Sequence, residues 1–276
     1  MSTAAVIDRP IPNRRAWELP GFRLAQAEFL KLRTRRGLVL ASLALTVGGV
    51  IVAYTILLVL HLTDPAGHGP AGGQQHFWNG MYMLTALATM AAVLIGATSG
   101  AGDLSAGVFR NLLSTGRSRR SLFLARIPGG LALLLPMAAV AYGLAAVAAV
   151  ALAGNLPQPG TVYLVESGLW FLLYMTAMFL LALGVSSLLG SRATTIGILA
   201  GILLLVTPMV QGIHHPGVGA ESILGIALWQ LAPKQLQNGA PNGDIHMSLA
   251  AIVTVLVAWM AVAVGAGMWR TLKRDA

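Results

Sequence analysis

Few residues in this 276-residue chain are of a type and spacing suited to chemistry, and they do not converge on a catalytic centre. Without cysteine, the chain has neither disulfides nor thiolate-held metal or iron–sulfur clusters. Its histidines (61, 68, 76, 214, 215 and 246) have no carboxylate at a recognisable ligand spacing, so they read as polar loop residues rather than a metal centre. No HExxH, no Ser-His-Asp set and no G-x-x-x-x-G-K-S/T loop occurs, and no Lys follows a Gly, so the chain has no nucleotide site of the P-loop kind. The one dense polar stretch is Asp103–Ser121, DLSAGVFRNLLSTGRSRRS, with Arg110, Arg117, Arg119 and Arg120. A single Arg in lipid costs about 2.5–3.5 kcal/mol on insertion scales, so the chain must leave the bilayer there.

Its surroundings are apolar. The chain is 56% hydrophobic and 10% charged, where a soluble domain carries roughly 25% charge. An all-α integral membrane protein follows. The net charge of +9 does not indicate nucleic acid, because the basic residues flank apolar runs instead of forming a face interleaved with aromatics. Six transmembrane helices are expected at about 38–62, 80–102, 122–153, 166–189, 193–213 and 248–269, each at least as long as the roughly 20 residues a bilayer needs. They form a 37–269 transmembrane domain, preceded by a flexible segment 1–21 and an amphipathic helix 22–36, and followed by a basic tail 270–276. The first apolar run begins near Leu38 and lacks a cleavage site, which excludes a cleavable signal peptide.

In the 22–36 helix, Phe22, Ala25, Phe29 and Leu32 form an apolar stripe, with Arg23, Glu28, Lys31 and Arg35 off it and Arg33 and Arg36 close by. Such a helix is expected to lie in the headgroup layer and meet anionic lipid. The third span is too long for a flat crossing; Arg126 is expected to snorkel at its cytoplasmic end and Pro136 to bend it. Gly96/Gly100 and Gly197/Gly201 stand at the spacing of helix-packing seams. Most tryptophans lie near span ends, where indoles anchor at the interface. Ile223–Leu231, apolar but too short to span, reads as re-entrant or interfacial.

On this layout every one of the 18 Lys and Arg except Lys234 falls on the side that holds both termini, which the positive-inside rule makes cytoplasmic. The middle of each span has no Asp, Glu, Lys, Arg or His. A carrier driven by an ion gradient normally needs such a group at mid-membrane, so energy for uphill transport must come from outside the chain.

AEFLKLRTRRG (Ala27–Gly37) and GDLSAGVFRNLLSTGRSRRSLFLAR (Gly102–Arg126), set in this layout, resemble an ABC-2-type ABC transporter permease. Asp103 stands for that family's acidic residue, Gly107-Val108 for its Gly-Thr, Leu112-Leu113 for its Leu pair and Arg126 for its final cation, while Thr115-Gly116 replaces its proline. The resemblance implies a bacterial cell-membrane exporter subunit that works as a permease dimer, in two copies or with a related permease. Each permease would dock on a separate ATP-binding subunit that holds ATP and Mg. It implies a coupling helix within 103–121, built on Asp103, Leu104, Gly107, Val108, Phe109, Arg110, Asn111, Leu112, Leu113, Arg117, Arg119 and Arg120. It also makes 22–36 an elbow helix and places short re-entrant external helices between spans five and six. A hydrophobic or amphipathic cargo (an antibiotic, lipid or lipopeptide) suits spans without buried charge. The other readings are a non-transporting assembly or sensor subunit and a stand-alone channel or secondary carrier.

Overall fold

The computed structural model describes residues 20–105, 118–206, 223–237 and 247–273, and among these every regular element is a helix. In chain order they are α1 (Pro20–Arg33), α2 (Arg36–Thr63), α3 (Gln74–Ser105), α4 (Arg119–Ala151), α5 (Thr161–Leu189), α6 (Arg192–Gly201), α7 (Leu224–Gln230), α8 (Lys234–Gln237) and α9 (Leu249–Lys273). Five of them, α2, α3, α4, α5 and α9, are long and apolar enough to cross a membrane. This is a multi-pass membrane protein. The expected fifth span appears as α6 and a π turn, Ile202–Val206; the rest of 193–213 lies outside the described residues. Helices α3, α4 and α5 begin earlier than hydropathy places them, at Gln74, Arg119 and Thr161. Hydropathy marks only the lipid-crossing part of a helix, whereas backbone hydrogen bonding carries the helix on into polar residues.

Local sequence explains the breaks. Inside α2 a π turn spans Ala44–Gly48, where the Thr46 hydroxyl donates to the Ser42 carbonyl at 2.7 Å and competes with the regular ladder. Gly190 ends α5 in the left-handed region at φ 73°, a conformation glycine adopts without penalty, and its N–H caps Ser186 O at 2.8 Å. The Ser118 and Ser191 side chains cap α4 and α6 by accepting from Ser121 N and Thr194 N.

Helices α3 and α5 form the centre, with Phe77, Met81, Ala88 and Ile95 packed against Phe171, Met175, Phe179 and Leu183. Their backbones touch at Gly96 and Gly100. A Cβ at Gly96 would lie 2.6 Å from the Phe179 carbonyl oxygen, and one at Gly100 would overlap Ser186 Oγ and lie 2.5 Å from Leu183 O. A second close approach joins α5 to α9, where a Cβ at Gly267 would lie 2.8 Å from Gly184 O. Nothing lies within 4 Å of a Cβ added at Gly197 or Gly201, so the seam expected there has no counterpart among the described residues.

At the end of the bundle away from Asp103, the α2–α3 loop is sewn to the α4–α5 turn by main-chain bonds. Gly72, Gly73 and Gln74 donate to Leu152, Ala149 and Pro157 carbonyls at 2.8, 2.7 and 2.8 Å. At the same end α7 and α8 are held by indoles: Trp170 Nε1 donates to Leu228 O at 2.7 Å and Trp78 Nε1 to Leu236 O at 3.0 Å. Trp229 packs on Trp170 with ring centroids 4.8 Å apart. Trp78 and Trp170 therefore fasten α8 and α7 to the bundle, a role added to the expected anchoring near span ends, with Trp229 packed beside them, while Trp259 and Trp269 are exposed. Trp170→Phe should cost about 0.5–1.5 kcal/mol for the lost hydrogen bond. Thermal unfolding in detergent should show a lowered midpoint for this variant and an unchanged one for Trp269→Phe; equal midpoints would reject the fastener role.

Candidate functional site

Three helices that meet at the base of the 106–117 segment build the site. Helix α3 reaches this base in the sequence Gly100-Ala101-Gly102-Asp103, whose small residues let it lie against α5 and bury Asp103 to 5% exposure. Helix α4 starts at its Ser118 cap, and two turns further in Arg126 is 1% exposed. Helix α1 crosses α4 at Gly129, where a Cβ would lie 2.6 Å from Glu28 Cβ and 3.0 Å from Ala25 O. That crossing presses Leu32 and Glu28 inward and brings Lys31 over Asp103.

The side chains interlock. Arg126 Nη2 donates to Asp103 Oδ2 at 3.0 Å and Nη1 to the Gly100 carbonyl at 3.0 Å, a carbonyl that also accepts from Ser187 Oγ at 3.3 Å. Lys31 Nζ donates to both Asp103 oxygens, at 2.9 and 3.1 Å, and pairs with Glu28 one turn back on α1. Two carboxylates and two cations make a neutral set. Neutrality is the physical condition for charge in so dry a place, since an isolated ion there is strongly penalised and a paired one much less so. The Arg35 guanidinium lies over Gly102 at the edge of the cluster. Arg119 Nη1 donates to the Leu272 carbonyl at 2.9 Å and so ties the start of α4 to the last described turn of α9.

This arrangement corrects two expectations. Arg126 does not snorkel: it is 1% exposed, and its Nη1 and Nη2 bond to Gly100 O and Asp103 inside the protein, while its Nε has no partner among the described residues. Glu28 belongs to the inward face of α1 rather than to its polar side, because the bare Cα of Gly129 leaves room for it. Phe22, expected on the apolar stripe, is 59% exposed, whereas Phe29 is half-buried and Leu32 fully buried. Arg33, Arg36 and Arg120 are exposed. Gly107, Val108, Phe109, Arg110, Asn111, Leu112, Leu113 and Arg117 lie outside the described residues, as does the Leu104 side chain. Among the described residues no group of three or more His, Asp or Glu is placed to hold a metal ion.

The cluster is a set of ion pairs and hydrogen bonds. It fastens α1, α3 and α4 together at one end of a helical membrane body, which defines the class as a multi-pass membrane protein with a reinforced base beneath its polar loop. The chain belongs to the ABC-2 family: the family model described as ABC-2 family transporter protein matches residues 22–276. It is thus a membrane transport component of that family. No curated protein matches the chain.

Proposed function

We propose that the chain is the membrane-spanning subunit of an ATP-driven exporter in a bacterial cell membrane, moving a hydrophobic or amphipathic compound. A separate ATP-binding subunit, carrying ATP and Mg, supplies the energy through residues 103–121. Two permease chains and two ATP-binding subunits form the working complex, with six spans per chain and both termini in the cytoplasm. The observation that carries this reading is the ion cluster. Asp103 at the start of the polar loop and Arg126 just past its end are bonded to each other, and Lys31 of α1 is bonded to the same carboxylate. A push on the loop is therefore delivered to α1, α3 and α4 as one body. Without the cluster, a push on residues 103–121 would reach two separately anchored helices instead of one body.

Co-expression with the cognate ATP-binding subunit should give a complex in the membrane fraction. In proteoliposomes with ATP inside or outside, Phe109→Asp and Arg110→Glu should each lower cargo flux at least tenfold while ATP hydrolysis persists. Undiminished flux in both variants would reject coupling through the loop. Flux from the purified chain alone, without nucleotide, would reject an ATP-driven mechanism and favour a stand-alone carrier.

A further inference from the structure

Helix α2 divides at its π turn, Ala44–Gly48, into halves that are held in different ways. Before the turn, on the side of the ion cluster, Leu38 and Val39 pack on the core and Ser42 is fully buried, as is Thr46 within the turn. After it, over Gly49–Thr63, Val50 and Tyr54 are the buried residues, and none of the nine side chains from Thr55 to Thr63 is buried. The gap against α3 widens in step. It is about 10 Å³ where Gly49 and Val50 face Leu84 and Leu87, and about 600 Å³ where Ile56 and Leu57 face His76 and Asn79.

The loop that follows is bonded to this half-helix and not to the bundle. Asp64 N and His68 N donate to Leu60 O and Asp64 O at 3.0 and 2.9 Å, Gly67 N donates to Asp64 Oδ1 at 2.9 Å, and His61 Nδ1 donates to His68 O at 2.8 Å. The bundle holds the chain again from Pro70, whose ring lies 3.0 Å from where a Gly154 Cβ would be, and from Ala71, 2% exposed. Gly72 and Gly73 then bond to the α4–α5 turn. Among the described residues no hydrogen bond or ion pair leads from 49–69 to another helix, and the Tyr54 hydroxyl has no partner to lose. Both ends of the stretch have a glycine in open surroundings: a Cβ at Gly48 would meet nothing closer than 3.6 Å, and one at Gly69 nothing within 4 Å.

We propose that residues 49–69 are a hinged arm, turning at the π turn and at Gly69, whose swing opens and closes the wedge between α2 and α3 toward the surrounding lipid. A π turn interrupts the regular ladder that makes a helix stiff, and bends gather at such turns. Gly48 and Gly49 weaken the helix there further, by about 1 kcal/mol each relative to alanine. Apolar side chains that leave α3 enter hydrocarbon as apolar as what they left, so a swing gives up packing but no hydrophobic burial. Val50 and Tyr54 stand close to the pivot, where rotation moves them least. The helical part is about 22 Å long at 1.5 Å per residue, so a turn of about 15° carries its far end about 6 Å. The base takes no part, since the half of α2 before the turn stays packed on the core. The swing needs no nucleotide and holds whether or not the chain works with an ATP-binding subunit.

The chain has no cysteine, so spin labels go only where they are placed. Double electron–electron resonance on the full chain in phosphatidylcholine nanodiscs compares two pairs, all at exposed positions. The arm pair is Val59→Cys with Leu169→Cys on α5, and the base pair is Leu40→Cys with Leu188→Cys. The arm pair should give a distance distribution at least twice as broad as the base pair. Deletion of Gly48, which takes the extra residue out of the π turn, should bring the arm pair to the width of the base pair. Gly48→Ala with Gly69→Ala, which restricts the backbone at both pivots, should narrow it by about a third. Neither change should alter the base pair. Gel filtration and the thermal midpoint check folding, and if the deletion does not fold, the double alanine variant decides. An arm pair as narrow as the base pair, or one whose width no folded variant moves, would overturn the proposal. So would a narrow arm pair together with an intermolecular distance from Val59→Cys labelled alone, because a second copy would then hold the arm in place.

Discussion

Asp103→Asn should destabilise the detergent-solubilised chain by about 3–5 kcal/mol, the range found when one partner of a buried ion pair is removed. Asp103 and Arg126 side chains are 6% and 1% exposed, so water cannot replace what the carboxylate gives. Asparagine keeps the volume and an acceptor oxygen but leaves Arg126 and Lys31 facing each other with only Glu28 to balance them. Lys31→Ala should cost less, about 1 kcal/mol, because its side chain is 29% exposed and water takes up part of the loss. Replacing the pair together, as Asp103→Leu with Arg126→Met, should recover part of the loss of either single change, since a well-packed apolar pair removes the desolvation cost. A double-mutant cycle on thermal or denaturant unfolding measures this. Additive costs would show that the two residues do not act as a pair, and the account of a fastened base would fail.

Gly100→Leu should have an effect of comparable size, for a different reason. The obstacles to a side chain at this position are Ser186 Oγ and the Leu183 backbone carbonyl, and the carbonyl cannot rotate away. Overpacking in a close-packed core typically costs about 1–3 kcal/mol and more where backbone must move. Here α3 would have to separate from α5 and carry Asp103 out of register with Arg126. Membrane yield and the fraction of monodisperse protein on gel filtration should fall severalfold for Gly100→Leu, while Gly197→Leu should resemble the parent chain. Equal tolerance at both positions would show that the α3–α5 approach is looser than the described contacts imply.

That contrast shows what a single sequence can and cannot reveal. Gly96/Gly100 and Gly197/Gly201 have the same spacing and similar apolar surroundings, so no local rule separates a seam that is filled from one that faces open space. Only the pairing of helices decides. The Gly184–Gly267 approach leaves no trace in the sequence because the two glycines lie on different helices, and glycines far apart in sequence form no pattern. Five of the expected spans were legible because hydropathy measures the quantity that selects them, although their ends were not, since Gln74 and Thr161 are helical without being apolar. Asp103 and Arg126 stood out as the two ends of one motif. Their direct bond, and the part of Lys31 in it, depended on α1 crossing α4 at Gly129, a contact between segments about 100 residues apart. Charge pattern alone placed Glu28 on the wrong face of α1, because the amphipathic rule assumes that the inner face is apolar. Similarly, Trp78 and Trp170 sit near span ends as interfacial indoles do, and only the carbonyls of Leu236 and Leu228 reveal them as donors to α8 and α7.

The bond between Asp103 and Arg126 closes the intervening stretch into a ring fastened at its neck, with consequences for how such a chain diverges over generations. On the proposed coupling, residues of this ring that do not pack into the helices can be exchanged, lengthened or trimmed to suit a new docking companion, whereas Phe123, fully buried, and Arg119, bonded to the Leu272 carbonyl, are fixed by the body. The neck itself has no such latitude, because a change there must be matched on α1, α3 and α4 at once. On the same proposal, partner choice can drift while the lipid-embedded body stays the same, so that one membrane scaffold would serve many motors.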